Sequence, residues 1–187
     1  MLIEKIITDQ SLPISKLFIE KNINNFQNAV FYVKNLPYKR NENKQDPAIA
    51  LIDSYGTCST KHGVLKALAD ELEIEEIKLY LGIFKMNKKN TPNITRILAK
   101  YNLDYIPEAH CYLRYNNEIM ECTKAHSDKY SFINELIEEF EIEANQIADY
   151  KTEFHKNYIK NWLTENPEIT YSLDEVWAIR EECIANY

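Results

Sequence analysis

The stretch AHCYLRYNNEIMECT, from Ala109 to Thr123, constrains the fold more than any other part of this sequence. Two apolar-rich runs flank Asn116 and Asn117, and asparagine tolerates the positive φ angles that a two-residue type I′ turn requires. The sequence therefore predicts a β-hairpin closed at these asparagines, and such a short turn also fixes the register of the two strands. The predicted cross-strand pairs are Arg114 with Ile119, Tyr112 with Glu121 and His110 with Thr123.

This register places His110, Tyr112, Glu121 and Thr123 on one face of the hairpin, because side chains alternate along a strand. His110 and Glu121 are then diagonal neighbours, with Cα atoms roughly 7–8 Å apart. A carboxylate at that distance could fix the tautomer of the imidazole and stabilise its protonated form. The alternative is that His110 is a structural histidine and Glu121 a solvated charge at the edge of the sheet.

A second informative segment is SYGTCSTKHGVLKAL, from Ser54 to Leu68. Its apolar residues recur at helical spacing and predict a helix from about Cys58 to Leu72. Cys58 then lies at the helix N-terminus, where the macrodipole lowers the pKa of a thiol, and Lys61 or His62 could add positive charge. Gly56 would allow a sharp turn just before it. The alternative is that Cys58 is a small residue buried under the helix.

The remaining segments indicate an α+β chain with a small antiparallel sheet. Residues 1–50 have mostly helical spacing up to Pro37, and Glu76–Met86 is typical of a buried strand. A short helix follows Pro92. Beyond Lys124 we expect helices again: Ser127 as the cap of DKYSFINELIEEF, and SLDE, Ser172 to Glu175, as a capping box.

Composition excludes several classes of function. The formal net charge of −7 disfavours a phosphate backbone as a partner, so we expect no nucleic-acid binding. No run of about 18 apolar residues predicts a membrane span. The first residues, MLIEKIITDQ, lack the pattern of a signal peptide, so the expected location is the cytoplasm.

The four cysteines show no CxxC spacing, and in the cytoplasm we expect them to be reduced. Cys111 and Cys122 face each other across the predicted hairpin. They could form a disulfide under oxidation, and otherwise they are small core thiols.

Taken together, these segments resemble the transglutaminase-like (papain-like) cysteine enzymes. GTCSTKHGVLKALADELEI resembles their nucleophile helix, EIKLYLGIF the following strand, and AHCYLRYNNEIMECT the histidine strand and its neighbour. The resemblance covers about Ala29 to Thr123, and the order Cys, His, acid matches. It implies a core over residues 1–126, with a nucleophile helix packed on a small antiparallel sheet, and a helical C-terminal extension over residues 127–187 packed on that core.

By position, the resemblance assigns the nucleophile to Cys58, proton transfer to His110 and the orienting acid to Glu121, where the family usually has aspartate. The Cys58 backbone N–H is one expected oxyanion donor. The position of the glutamine donor in papain-like enzymes is occupied by Ile52. The other near-site candidates are Tyr55, Gly56, His62 and Tyr112.

The resemblance implies attack on an amide or ester carbonyl of a peptide, a protein or a small amide. The sequence has no nucleotide-binding glycine loop and no metal motif, so we expect no cofactor. Because there is no calcium-loop pattern, we expect hydrolysis rather than cross-linking. One alternative is a catalytically inactive domain of the same fold that binds a peptide or a protein. A second alternative is a metal site that combines Cys58, His62 and His110 with Cys111 or Glu121.

Overall fold

The computed structural model describes residues 5–186, so residues 1–4 of the predicted N-terminal helical region and residue 187 of the predicted extension lie outside it. The chain divides into two compact units. The first unit, as described, runs to Leu81 and adds Cys111–Lys129 and Phe140–Asp149. The second unit comprises Gly82–His110, Tyr130–Glu139 and the chain from Tyr150 onward.

The described elements are, in chain order, α1 (Pro13–Glu20), α2 (Phe26–Asn35), α3 (Ile49–Ile52), α4 (Cys58–Glu71), β1 (Ile77–Asn87), a 3-10 turn (Pro92–Ile94), α5 (Thr95–Lys100), β2 (Tyr105–Tyr115), β3 (Glu118–Met120), α6 (Tyr130–Ile133), β4 (Leu136–Ile142), a second 3-10 turn (Ala144–Gln146), α7 (Asp149–Glu165) and α8 (Leu173–Ala185). The strands form one four-stranded antiparallel sheet in the order β3-β2-β1-β4. The α+β class with a small antiparallel sheet is therefore confirmed.

The N-terminal region forms two helices, α1 and α2, where its spacing predicted mostly continuous helix. Asn22 has a φ angle of 59°, a left-handed conformation that ends the first helix. Asn25 then caps α2, because its side chain accepts a hydrogen bond from the Asn28 N–H at 2.8 Å. The start of α1 is capped by a residue that is distant in sequence. The two carboxylate oxygens of Glu71 in α4 accept hydrogen bonds from the N–H groups of Ile14 and Ser15, at 2.8 and 2.6 Å.

The predicted helix over about Cys58–Leu72 is confirmed as α4, the central element of the first unit. It packs against α1, α2 and α3, and its residues Val64, Leu65 and Leu68 have no exposed surface. Burial on this scale on nearly every side explains why a helix with many polar residues is stable here.

The hairpin and its turn are confirmed. Asn116 and Asn117 have φ angles of 48° and 66°, as a type I′ turn requires. The observed pairs are Leu113 with Met120, Arg114 with Ile119 and Tyr115 with Glu118, which is the predicted register. β3 ends at Met120, so the ladder is shorter than predicted and stops before Glu121.

The helix predicted over DKYSFINELIEEF is wrong for its second half. Only Tyr130–Ile133 is helical, and Leu136–Ile142 is the edge strand β4. Leucine and glutamate favour helices, but pairing beside β1 overrides this local preference. Within the first unit, the Lys78 ammonium lies 3.2 Å from the Glu141 carboxylate. The predicted C-terminal extension is therefore not wholly helical.

Within the second unit, polar contacts connect helices α7 and α8 with the part of β2 that belongs to the same unit. The Arg180 guanidinium of α8 donates to the Glu108 carboxylate at 2.7 Å, and the buried His155 of α7 donates through Nε2 to the Pro107 carbonyl at 2.8 Å. Trp162 of α7 donates to the Tyr105 hydroxyl at 2.8 Å. The capping box predicted at Ser172 is confirmed, and it begins α8.

Candidate functional site

The candidate site is built at the N-terminus of α4, where a hydrogen-bonded turn positions Cys58. The Thr57 N–H donates to Thr60 Oγ1 at 3.0 Å, and the Thr60 hydroxyl donates to Asn41 Oδ1 at 2.7 Å. The Asn41 amide donates in turn to the Tyr55 carbonyl at 3.0 Å. The backbone on both sides of Gly56 is therefore fixed by side chains that are themselves largely buried.

Gly56 is required here for space and not for an unusual backbone angle. It does not have a positive φ. Its N–H donates to the Pro37 carbonyl at 3.1 Å, and its carbonyl accepts the Lys39 N–H at 3.2 Å. A Cβ atom at this position would lie 2.6 Å from Thr60 Oγ1, which is closer than such contacts occur. The sharp turn predicted for Gly56 is thus a close approach between the chain and the first turn of α4.

Cys58 differs from the other three cysteines in its exposure. Cys58 is partly exposed at the first position of α4, whereas Cys111, Cys122 and Cys183 are buried. Burial raises the pKa of the Cys122 thiol to about 12 and that of Cys183 to about 11. The positive end of the helix favours the thiolate form of Cys58, so it is the cysteine whose position suits a nucleophile.

The Lys61 ammonium is buried and donates hydrogen bonds to backbone carbonyls. Its side chain has no exposed surface, and its ammonium donates to the carbonyls of Leu36 at 2.5 Å and Thr123 at 2.8 Å. Burial lowers the pKa of this ammonium to about 8, although the nearby Glu121 carboxylate opposes the shift.

His62 is also fully buried, and its two ring nitrogens make different contacts. Nδ1 donates to the Cys58 carbonyl at 2.7 Å, and Nε2 accepts the Cys122 N–H at 2.8 Å. An accepting Nε2 places the proton on Nδ1, so this arrangement holds a neutral imidazole. The Glu121 carboxylate lies 3.8 Å from Nε2 and accepts the Thr123 N–H at 2.7 Å.

The first unit therefore brings three predicted site residues into one contact network, in which His62 contacts both the Cys58 carbonyl and the Glu121 segment. Two near-site candidates have described contacts with other groups. The Tyr55 ring lies under the Lys39 ammonium, at 4.4 Å. The buried Tyr112 stacks on Tyr80, with ring centroids 6.0 Å apart.

His110 belongs to the second unit, where two aromatic rings contact it. The centroid of its imidazole lies 4.6 Å from that of Phe132 and 6.3 Å from that of Phe84. Both phenylalanines are buried, while His110 is half-buried. These contacts restrict the rotation of the imidazole ring.

Sequence reasoning did not predict that several polar side chains around this site are buried. Asn41 lies in the polar segment that follows Pro37, yet it is 4% exposed. The Thr123 hydroxyl is buried and has no hydrogen-bond partner. Lys61 and His62 interrupt an otherwise apolar helix pattern, and that interruption was the one available signal that they have buried polar partners.

Comparisons of the chain with protein-family models, with curated proteins and with solved structures found no match. Among residues 5–186, no three histidine, cysteine or acidic side chains are grouped so that they could hold a metal ion. None of the helices described in that range is long and apolar enough to cross a membrane.

Proposed function

We propose that this protein is a thiol amide hydrolase in which Cys58 is the nucleophile, His110 transfers protons and Glu121 orients His110. The resemblance to transglutaminase-like (papain-like) enzymes motivates the three roles. The proposed substrate is a peptide, a protein or a small amide, and the reaction uses no cofactor. Glutamate in place of the aspartate usual in that family leaves the charge of the orienting group unchanged.

The observation that carries this proposal is the position of Cys58. It is the partly exposed cysteine, it begins a helix of 14 residues, and the turn before it is fixed by buried hydrogen bonds. Helix N-termini stabilise thiolates because unpaired N–H groups and the helix dipole point toward the sulfur. A second support is Glu121, a carboxylate only 9% exposed that directly follows β3, because the resemblance assigns the orienting acid to this residue.

The proposed reaction has two steps that balance. In the first, the Cys58 thiolate attacks the amide carbonyl, a C–S bond forms, and the C–N bond breaks as His110 gives its proton to the leaving amine. In the second, His110 takes a proton from water, the hydroxide attacks the thioester, and the acid product leaves as the Cys58 thiolate re-forms. The Cys58 N–H would donate to the oxyanion in both steps.

The test is the pH dependence of alkylation at each cysteine, measured by peptide mass spectrometry. The variants are His110→Ala and, as a matched control, His126→Ala, which removes an exposed histidine. We expect Cys58 to react quickly below about pH 7, which is well under the ordinary thiol pKa of about 8.5, and to lose this reactivity in His110→Ala alone.

A Cys58 that reacts only near the ordinary thiol pKa would refute the enzyme proposal. The inactive peptide- or protein-binding domain would then be the better hypothesis. An unchanged Cys58 profile in His110→Ala would instead refute the role of His110 while leaving the nucleophile in place.

A further inference from the structure

We propose that Lys61 and His62 are positioning residues that hold the Glu121–Thr123 segment against the first turns of the nucleophile helix. This inference rests on the proposed function, because Glu121 is the proposed orienting acid. It assigns a role to two adjacent basic residues of α4 that the reaction itself does not use. The pair and the backbone groups it contacts are called the buried clamp below.

The His62 half of the clamp connects Cys58 with the residue after Glu121. Nδ1 donates to the Cys58 carbonyl at 2.7 Å and Nε2 accepts the Cys122 N–H at 2.8 Å. Cys122 is 1% exposed and lies beyond the end of β3 at Met120, so this imidazole replaces the strand partner that its N–H would otherwise need. The Glu121 carboxylate is 3.8 Å from the same nitrogen.

The Lys61 half of the clamp holds the next residue of the segment. Its ammonium donates to the Thr123 carbonyl at 2.8 Å and to the Leu36 carbonyl at 2.5 Å. Cys122 therefore contacts α4 through its N–H, and Thr123 through its carbonyl. The chain between these two groups cannot shift along the helix without breaking a buried hydrogen bond.

The two contacts of His62 differ in importance. The Cys58 carbonyl is also the ordinary helical acceptor for the residue four positions later, whereas the Cys122 N–H depends on the imidazole. The acceptor at the Nε2 position is thus the group that positions Glu121. A glutamine at 62 would retain an acceptor near that position, and an asparagine would retain only the donor near Nδ1.

This difference defines the experiment, which uses His62→Gln, His62→Asn and the matched control His155→Asn. His155 is another buried histidine with a bond to a backbone carbonyl, in the second unit. Two quantities are measured on the full chain: the pH profile of Cys58 alkylation by iodoacetamide, and the hydrogen exchange of the Cys122 amide. In His62→Asn we expect the rate of Cys58 alkylation at pH 7 to fall about tenfold and the hydrogen exchange of the Cys122 amide to be about tenfold faster. His62→Gln should stay within about threefold of wild type in both.

The outcomes separate this proposal from the proposed function. A reactive wild-type Cys58 whose profile is the same in His62→Asn overturns the clamp alone, as does an equal change in His155→Asn. A wild-type Cys58 that behaves as an ordinary thiol overturns the proposed function. In that case the hydrogen exchange of the Cys122 amide still tests the clamp. If this amide exchanges as slowly in His62→Asn as in wild type, the clamp is overturned as well. If it exchanges faster, the holding role of the clamp is supported. If His62→Asn does not fold, His62→Gln decides: loss of the wild-type profile and of amide protection overturns the proposal.

Discussion

Substitution of Gly56 by alanine tests whether the turn before Cys58 is as closely packed as the structure shows. The added Cβ would lie 2.6 Å from Thr60 Oγ1, 3.2 Å from the Ala50 Cβ and 3.2 Å from the Lys61 Cγ. Because the φ angle of Gly56 is not positive, alanine faces no backbone penalty there. The effect of Gly56→Ala is therefore steric.

The magnitude follows from the hydrogen bonds that the Thr60 hydroxyl would lose. It accepts the Thr57 N–H at 3.0 Å and donates to Asn41 Oδ1 at 2.7 Å, both in the protein interior. Each buried hydrogen bond contributes about 1 kcal/mol, and displacing the packed atoms costs about 1 kcal/mol more. Alanine recovers about 0.4–1 kcal/mol by restricting the unfolded chain. The expected loss in the free energy of unfolding is about 2 kcal/mol.

The assay is urea unfolding of Gly56→Ala beside Gly63→Ala. A Cβ at Gly63 would also have a 2.6 Å contact, but with Ile147 Cδ1, the far end of a flexible side chain. Alanine at Gly63 gains about 1 kcal/mol of helix propensity, so we expect that variant to stay within about 1 kcal/mol of wild type. The reasoning fails if Gly56→Ala is as stable as wild type, or if Gly63→Ala is the less stable of the two.

Three further predictions concern charge and the hairpin turn. Lys61→Met removes an ammonium whose pKa is lowered by burial from 10.5 to about 8. As the pH rises from 8 to 10.5, the free energy of unfolding of wild type should therefore increase by up to about 3 kcal/mol relative to this variant. Urea unfolding of both proteins at pH 8 and at pH 10.5 measures this change. A difference in the free energy of unfolding that is the same at both pH values would contradict this prediction. Burial raises the pKa of Glu108, but Arg180 outweighs this and lowers it to about 2. Acid unfolding should therefore show about 3 kcal/mol lost between pH 4.5 and 2 in wild type, and no such step in Glu108→Gln. Asn117 has a φ of 66°, which a β-branched residue adopts only at a cost, so Asn117→Val should lower the free energy of unfolding by about 1–2 kcal/mol. Asn117→Gly is the control, because glycine tolerates this angle. Equal melting temperatures for the two variants in thermal unfolding would exclude an effect of the turn.

The Lys61 prediction is stated as a difference because other groups titrate in the same range. The raised pKa of the Cys122 thiol has the opposite sign: above about pH 9 the unfolded thiol loses its proton first, and wild-type stability falls. The buried thiol of Cys183 acts in the same direction. The Lys61 charge lowers the pKa of Cys122, so Lys61→Met can only raise that pKa further. The buried thiols therefore stay protonated in both folded proteins up to about pH 10.5, and comparison of the two at each pH cancels their contributions over this range.

Local signals in the sequence were sufficient for the hairpin and for α4. Two adjacent asparagines determine a type I′ turn through their own backbone preferences, and the turn then determines the register through Arg114 and Ile119. The apolar spacing after Cys58 likewise needs no information from distant residues. The predicted end of the ladder was less accurate, because the Cys122 N–H bonds to His62 and not to a strand.

Non-local contacts account for what the sequence did not predict. β4 has the composition of a helix, and only its neighbour β1 makes it a strand. The break between α1 and α2 depends on Asn22 adopting a left-handed conformation, which asparagine tolerates but does not require. The predicted site residues are placed by the structure in both units, and the burial of Asn41 and Thr123 had no local signature in the sequence.

The buried clamp also explains why a polar pair is placed inside α4 at all. Moving an ammonium out of water costs several kcal/mol, and two apolar side chains at positions 61 and 62 would fill the space without that cost. Apolar contacts, however, are non-directional and would let the Glu121–Thr123 segment slide along the helix. Hydrogen bonds from Lys61 and to His62 have fixed directions and tie individual backbone groups to individual atoms. A chain that needs Glu121 at one place relative to the Cys58 helix gains that precision from the polar pair, and it loses stability in exchange.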